Sequence, residues 1–528
     1  MNARVAPRPA GERAGEAARS VGHLLASPQV GTWSLVAGVT LLVAGWSTTQ
    51  PTPAMVGCFF VFFAAVRRLA SRPRVSALGL TFLAAFFVFL LARPVLSWVG
   101  YPPNRIDQFA MPFNRPDVNT HIFVCLGLSL LGLHLGWWLL PYARGLGHRS
   151  TPRAYRSDSL LPSIRVVAVL MLVVCLVAQA ALDVEAAIYV RDTSYFDLYT
   201  TYQTSLPAPV RVAAGATTVA FLAYLATNPR PRGVAWASGA YLGVSALSLL
   251  SGQRTTVVLS LGVVLVYLAY RSATDHSGHR WVSKRLAYGA LVAVPVAFLL
   301  LGLVGRARTL PARRADGLLG PLWETLYAQS VSLEVVGYGF VYRAQVPDGH
   351  VYSLGHLLDL LLRRAPGVVG LGDGALTGQT VERAETSGLF AQLLSYRVLG
   401  GEYLKGRGLG SSYVAELWAD GSYLGVFLGS VVLGLVIWFL TMGLHRSWEA
   451  RLACLLLSRE VVLAPRSGFS QFVVEAFTAS TFVGVVLLLG GALAVRGWVQ
   501  RGGRGGTDGE PEPAAGGGPG DGPPVVAA

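Results

Sequence analysis

The sequence predicts an all-α, polytopic membrane protein, and three observations carry that prediction. Over 528 residues the hydrophobic share is 53% and the mean hydropathy is +0.50. The charged share is only 13%, against about 25% in a soluble domain. The apolar residues also come in long blocks. A bilayer core of about 30 Å needs roughly 20 apolar residues as helix. Lipid offers no hydrogen bonds, so each segment must satisfy its own backbone.

About 12 spans are expected. They fall near 30–47, 52–67, 75–97, 119–140, 163–182, 207–227, 234–250, 255–270, 286–304, 421–443, 452–465 and 472–495. Residues 52–67 are short but aromatic-rich. Residues 452–465 are interrupted by Arg459 and Glu460, so that piece reads either as a span or as a broken, re-entrant helix. The expected divisions are a basic N-terminus (1–29), a first bundle (30–304), a long external loop (305–420), C-terminal helices (421–495) and a tail (496–528). The Gly/Pro-rich residues 501–528 have little to bury and read as disordered. So does most of the basic N-terminal stretch. No small-residue cleavage site follows the first span, which reads as a retained anchor.

Orientation follows the basic residues. With a cytoplasmic N-terminus, 24 of the 43 Lys and Arg residues fall inside and 8 in short outer loops. The cytoplasmic membrane, with both termini cytoplasmic, is therefore the expected setting. The net charge of +15 then reflects a basic face on anionic lipid and calls for no nucleic acid. Cys58, Cys125, Cys175 and Cys454 all sit in apolar spans without metal-ligand spacing and read as small hydrophobes. No metal or cofactor is expected.

Residues 305–420 are too long for a simple connection and too apolar for a disordered one. Helix-like pieces at 318–336, 352–362 and 387–398 alternate with Gly-rich turns. They are expected to lie as short amphipathic helices on the outer membrane surface. Trp323, Tyr327, Tyr338, Tyr342 and Tyr352 would sit at headgroup level. Eleven basic residues fall in this loop, ten of them arginine. Arginine binds phosphate bidentately, so the loop suits an anionic partner such as a lipid-linked pyrophosphate. Contact with bilayer phosphates is the plainer reading of the same residues.

Two motifs stand out. Ser251-Gly252-Gln253-Arg254 forms a tight turn between apolar spans. Its arginine lies at or near membrane depth, where it either lines a polar cavity or snorkels to the headgroups. The second runs from Gly408 into the tenth span and places Glu416 and Asp420 four residues apart, on one helix face. Such a pair either acts as base and sugar ligand or caps a helix start. Arg459 and Glu460 read as functional charges or as an internal pair. The lone loop histidine His356 is a weaker candidate.

The Gly252–Arg254 turn and the stretch GLGSSYVAELWADGSYLGVFLGSVVLG from Gly408 to Gly434 resemble the Wzy-type O-antigen polysaccharide polymerases. Pro465-Arg466-Ser467-Gly468-Phe469 is a third, weaker point of likeness. The resemblance runs from the seventh span to the last. It implies polymerisation of oligosaccharide repeat units carried on undecaprenyl pyrophosphate, at the outer leaflet and without metal. A flippase and a chain-length regulator of the same pathway would be partners. Arg254, Arg397, Arg407 and Arg466 would then hold pyrophosphate, and Glu416 or Asp420 would supply the base. An O-antigen ligase-like transferase shares this layout. A transporter would instead spread charge through the spans.

Overall fold

The computed structural model describes residues 28–98, 115–139, 160–193, 197–275, 279–281, 299, 319–365 and 376–504. Among these the regular structure is entirely helical, and nine helices are long and apolar enough to cross a membrane. The all-α membrane reading holds. The expected span 286–304 lies outside the described residues, apart from residue 299.

Two expected spans keep their expected lengths but begin three and four residues earlier, and neither is among the nine long apolar helices. Residues Pro231–Leu247 make a helix of 17 residues. The Trp448–Val461 helix has only 14, about 21 Å of rise, too short for the hydrocarbon core. Arg459 and Glu460 pair in its last turn. The chain then passes through a 3-10 turn at Ala464–Arg466 and a short helix, Gln471–Ala476, before the long Ala479–Arg504 helix. This is the broken form of the 452–465 segment.

The tenth span starts eight residues earlier than expected, as Tyr413–Gly443. It forms the most extensive helix pairing among the described residues, with Pro116–Leu139. The cause is a small-residue seam that hydrophobic runs conceal. Gly132 and Gly136 are spaced GxxxG, a motif that lets backbones approach closely. A Cβ on Gly136 would stand 2.5 Å from the Val431 carbonyl oxygen, and one on Gly434 would stand 2.8 Å from that of Leu133. Deeper in the seam, Ser129 Oγ lies 2.5 Å from Tyr413 Oη and accepts from Ser430 Oγ at 2.9 Å. The buried hydroxyls thereby satisfy one another.

One end of the bundle is tied by arginines. Arg451 donates to the carbonyls of Ala226 (2.6 Å), Leu444 (2.9 Å) and Arg446 (3.1 Å). Arg165 donates to Thr227 O at 2.8 Å and Arg271 to Pro229 O at 3.0 Å. Three chain segments thus cap one helix end, where orphan carbonyls favour cations. Their convergence puts these segments on one side of the bundle.

Gly136→Val is expected to overpack the seam and destabilise the fold by about 1–3 kcal/mol. Gly239→Ala, where a Cβ meets nothing within 4 Å, should not. Thermal unfolding of both variants in detergent checks this.

Candidate active site

The residues 408–420 turn into the membrane through a constrained path. Gly410 has φ +76°, a conformation that favours glycine. Helix begins at Tyr413 and breaks at Gly421 and Ser422, where Ser422 adopts φ 53° and ψ −148°. A non-glycine residue held there costs on the order of 1–3 kcal/mol and needs support from its surroundings. His121 supplies that support on both sides of the break. Its ring is edge-on to Trp418 (4.7 Å), stacked on Phe340 (4.4 Å), and its Nδ1 lies 3.0 Å from Tyr423 Oη.

Glu416 therefore hangs from a short, clamped helical stub and is fully buried. Its Oε1 accepts from Ser411 Oγ at 2.7 Å and its Oε2 from the Phe469 N–H at 2.8 Å. The second bond joins the re-entering chain to the turn after Ala464–Arg466. Gly468 is the wedge of this junction. A Cβ there would lie 2.6 Å from His356 Nδ1 and 2.9 Å from Glu416 Oε1. His356 and Glu416 are thus neighbours across a glycine that has no room for a side chain. His356 Nδ1 is buried with no hydrogen-bond partner among the described residues, and so are the hydroxyls of Ser412 and Ser470. These three unmet polar atoms belong to the segments that meet at Glu416.

His356 is carried by the Gly355–Asp359 helix, which follows the 3-10 turn Tyr352–Leu354. Asp420 fixes the start of this unit: its two oxygens accept from the N–H groups of Tyr352 (2.7 Å) and Ser353 (2.9 Å). The paired carboxylates of the sequence therefore divide. Glu416 faces His356, while Asp420 caps the loop helix, the alternative role open to it at a helix start. Tyr352 and Tyr338, expected at headgroup level, are buried instead.

The arginines also divide. Arg466 lies beside the junction. It donates to the Gln329 side chain and stands over the Phe89 ring at 5.4 Å. Arg93, which the sequence reading missed, is buried in an ion pair with Glu334 and donates to Tyr327 O at 2.8 Å. Arg397 pairs with Glu385 at 3.4 Å, and Arg407 with Glu402 at 3.1 Å. Both pairs lie in the loop, away from the Glu416 junction in their described contacts. Arg254 is half-buried at the start of the Thr255–Thr274 helix. Its turn is locked by Gly252 at φ +89° and by Ser248 Oγ donating to Gln253 O at 2.9 Å. No group of three or more His, Cys, Asp or Glu side chains suited to a metal occurs among the described residues.

A helical bundle with nine membrane-length apolar helices among the described residues, and a buried polar junction where the Glu416, Gly468 and His356 segments meet, defines a multi-pass membrane protein. The family model for the O-antigen polysaccharide polymerase Wzy matches residues 55–495. The chain belongs to that family, and its role is accordingly in O-antigen-type polysaccharide polymerisation. No curated protein and no solved structure showed significant similarity to it.

Burial pushes His356 down to about 4 from its ordinary 6.5. The imidazole is therefore neutral at pH 7 in the folded state. Between pH 6.5 and about 4 the unfolded chain binds a proton that the folded one refuses, so stability should fall as pH drops through that window. His356→Gln should flatten the fall relative to the parent chain, read as apparent melting temperature against pH.

Proposed function

We propose that the protein is a membrane glycosyltransferase that joins undecaprenyl-pyrophosphate-linked repeat units at the outer face of the cytoplasmic membrane. The observation that carries this reading is the convergence of Glu416, His356 and the Ser467–Phe469 turn, in a chain of the Wzy family. The acceptor hydroxyl oxygen attacks the donor's anomeric carbon. The bond from that carbon to pyrophosphate breaks, a glycosidic bond forms, and undecaprenyl pyrophosphate leaves with the electron pair. The hydroxyl proton passes to the His356–Glu416 pair. The His356 Nδ1, which has no partner among the described residues, receives it, and Glu416 is held by its two hydrogen bonds so that the pair keeps its geometry.

The leaving group needs positive charge fixed in place. Arg466, next to the junction, is the first choice, with Arg254 the second. Arg397 and Arg407 rank lower because each is already paired with a loop carboxylate. The sidedness of the site agrees with the orientation expected from the sequence. Arg165, Arg271 and Arg451 all belong to the basic segments placed in the cytoplasm. They gather around residues 226–229, and the Glu416 junction belongs to the segments placed on the other side.

Purified protein in nanodiscs, supplied with lipid-linked repeat units, should give a ladder of longer lipid-linked glycans. Glu416→Gln and His356→Gln should each lower kcat by about 10²- to 10⁴-fold, with melting temperatures near that of the parent chain. Wild-type rates in both variants would remove the pair from the reaction. Transfer to a different acceptor would identify a ligase instead.

A further inference from the structure

Behind the His356 helix lies a second feature that the reaction as described leaves unused. The segment Gly355–Asp359 continues as a π-helical turn, Leu360–Arg364. Such turns leave the regular register and recur at functional sites. Along this unit Leu354, Leu358, Leu361 and Leu362 are exposed, Leu362 by 70%. Their spacing (i, i+4, i+7, i+8) makes one apolar stripe. Keeping such a stripe in water costs roughly 25 cal/mol per Å², so its natural surroundings are acyl chains.

The stripe borders a cavity of about 220 Å³ lined by His350, Gly355, Asp359, Leu362, Arg363 and Ser387, among others. Arg363 is held in this wall, because its Nη2 donates to the Thr386 carbonyl. Its Nη1 is buried with no partner among the described residues. The neighbouring Arg364 is already engaged with Asp359 at 2.8 Å. A fixed guanidinium with an unmet N–H, beside an apolar stripe, matches a ligand with an anionic head and a hydrocarbon tail.

The polymerase reading, on which this inference rests, supplies two such molecules, and geometry separates them. The donor's anomeric carbon is bonded directly to its pyrophosphate, so donor phosphates must lie at the reacting atoms. The acceptor reacts at its non-reducing end, a whole repeat unit away from its phosphates. Arg363 follows His356 by seven residues, about 10 Å along a helix axis. We propose that the Arg363 cavity seats the pyrophosphate of the acceptor lipid, with its prenyl chain laid along the leucine stripe.

The test uses the full chain in nanodiscs with donor and acceptor made distinct. The donor is a lipid-linked glycan blocked at its non-reducing end. The acceptor is one lipid-linked repeat unit with a C1-phosphonate in place of the scissile oxygen. Arg363→Ala should raise the acceptor KM by about tenfold or more, as loss of a charge-assisted hydrogen bond does. It should leave the donor KM and kcat unchanged, and Arg363→Lys should recover part of the loss. The same repeat unit without lipid or pyrophosphate should react poorly and equally with wild type and Arg363→Ala. An unchanged acceptor KM, or a raised donor KM, overturns the assignment while the polymerase reading stands. So does an effect that disappears when anionic phospholipid is replaced by phosphatidylcholine, which would mark a bulk-lipid contact. Failure of the wild-type chain to join the two substrates overturns the polymerase reading and this inference together.

Discussion

The hydrogen bond from the Phe469 N–H to Glu416 governs the arrangement of the site. A carboxyl buried without partners costs several kcal/mol, so Glu416 can sit inside the protein only where donors meet it. One donor is local, Ser411, and the other is 53 residues away in the chain. Satisfying that carboxyl therefore docks the broken C-terminal segment on the re-entering helix. The dock leaves Gly468 against His356, and a glycine is required there because any side chain would occupy the space of the imidazole. Asp420, one turn further on, secures the helix that carries His356. Two carboxyls on one helical stub thus hold two separate segments in place. The strained Ser422 and the His121 clamp keep the stub at its angle to the membrane span.

The arginines serve two kinds of purpose. Arg165, Arg271 and Arg451 close helix ends by donating to backbone carbonyls. Arg93 and Arg466 do the same for Tyr327 and Gln329 at the opposite end. A planar guanidinium can satisfy several carbonyls at once and remains charged, which suits it to helix ends at a membrane boundary. These five arginines therefore act within the protein and need no anionic lipid as partner. Arg363 differs from these because it lines a cavity and one of its buried nitrogens has no partner among the described residues.

Much of the fold was legible in the sequence because spans are local: length and hydropathy define them without knowledge of neighbours. The charges at 459 and 460 correctly marked a segment that could be broken, and Glu416 was visible as a carboxylate at a membrane entrance. What joins these pieces was not legible. The contact between His356 and Gly468 spans more than a hundred residues, and nothing local signals it. Asp420 looked equivalent to Glu416 because helical spacing reports a shared face and not the partner on it. Arg397 and Arg407 looked free because Glu385 and Glu402 meet them only once the loop has folded. The Gly132–Gly136 spacing was present but hidden in a run that hydropathy reads as uniform.

The most direct test of the central claim is the polymerisation rate of Gly468→Ala. The nearest atoms to the added methyl are those of His356 and the Glu416 carboxyl, ahead of the Gly421–Ser422 break in the tenth span, so the account predicts an intact fold with polymerisation reduced to a small fraction of wild type. A Gly468→Ala protein that elongates lipid-linked glycan at the wild-type rate would contradict it, because the junction could then not be where the chemistry occurs.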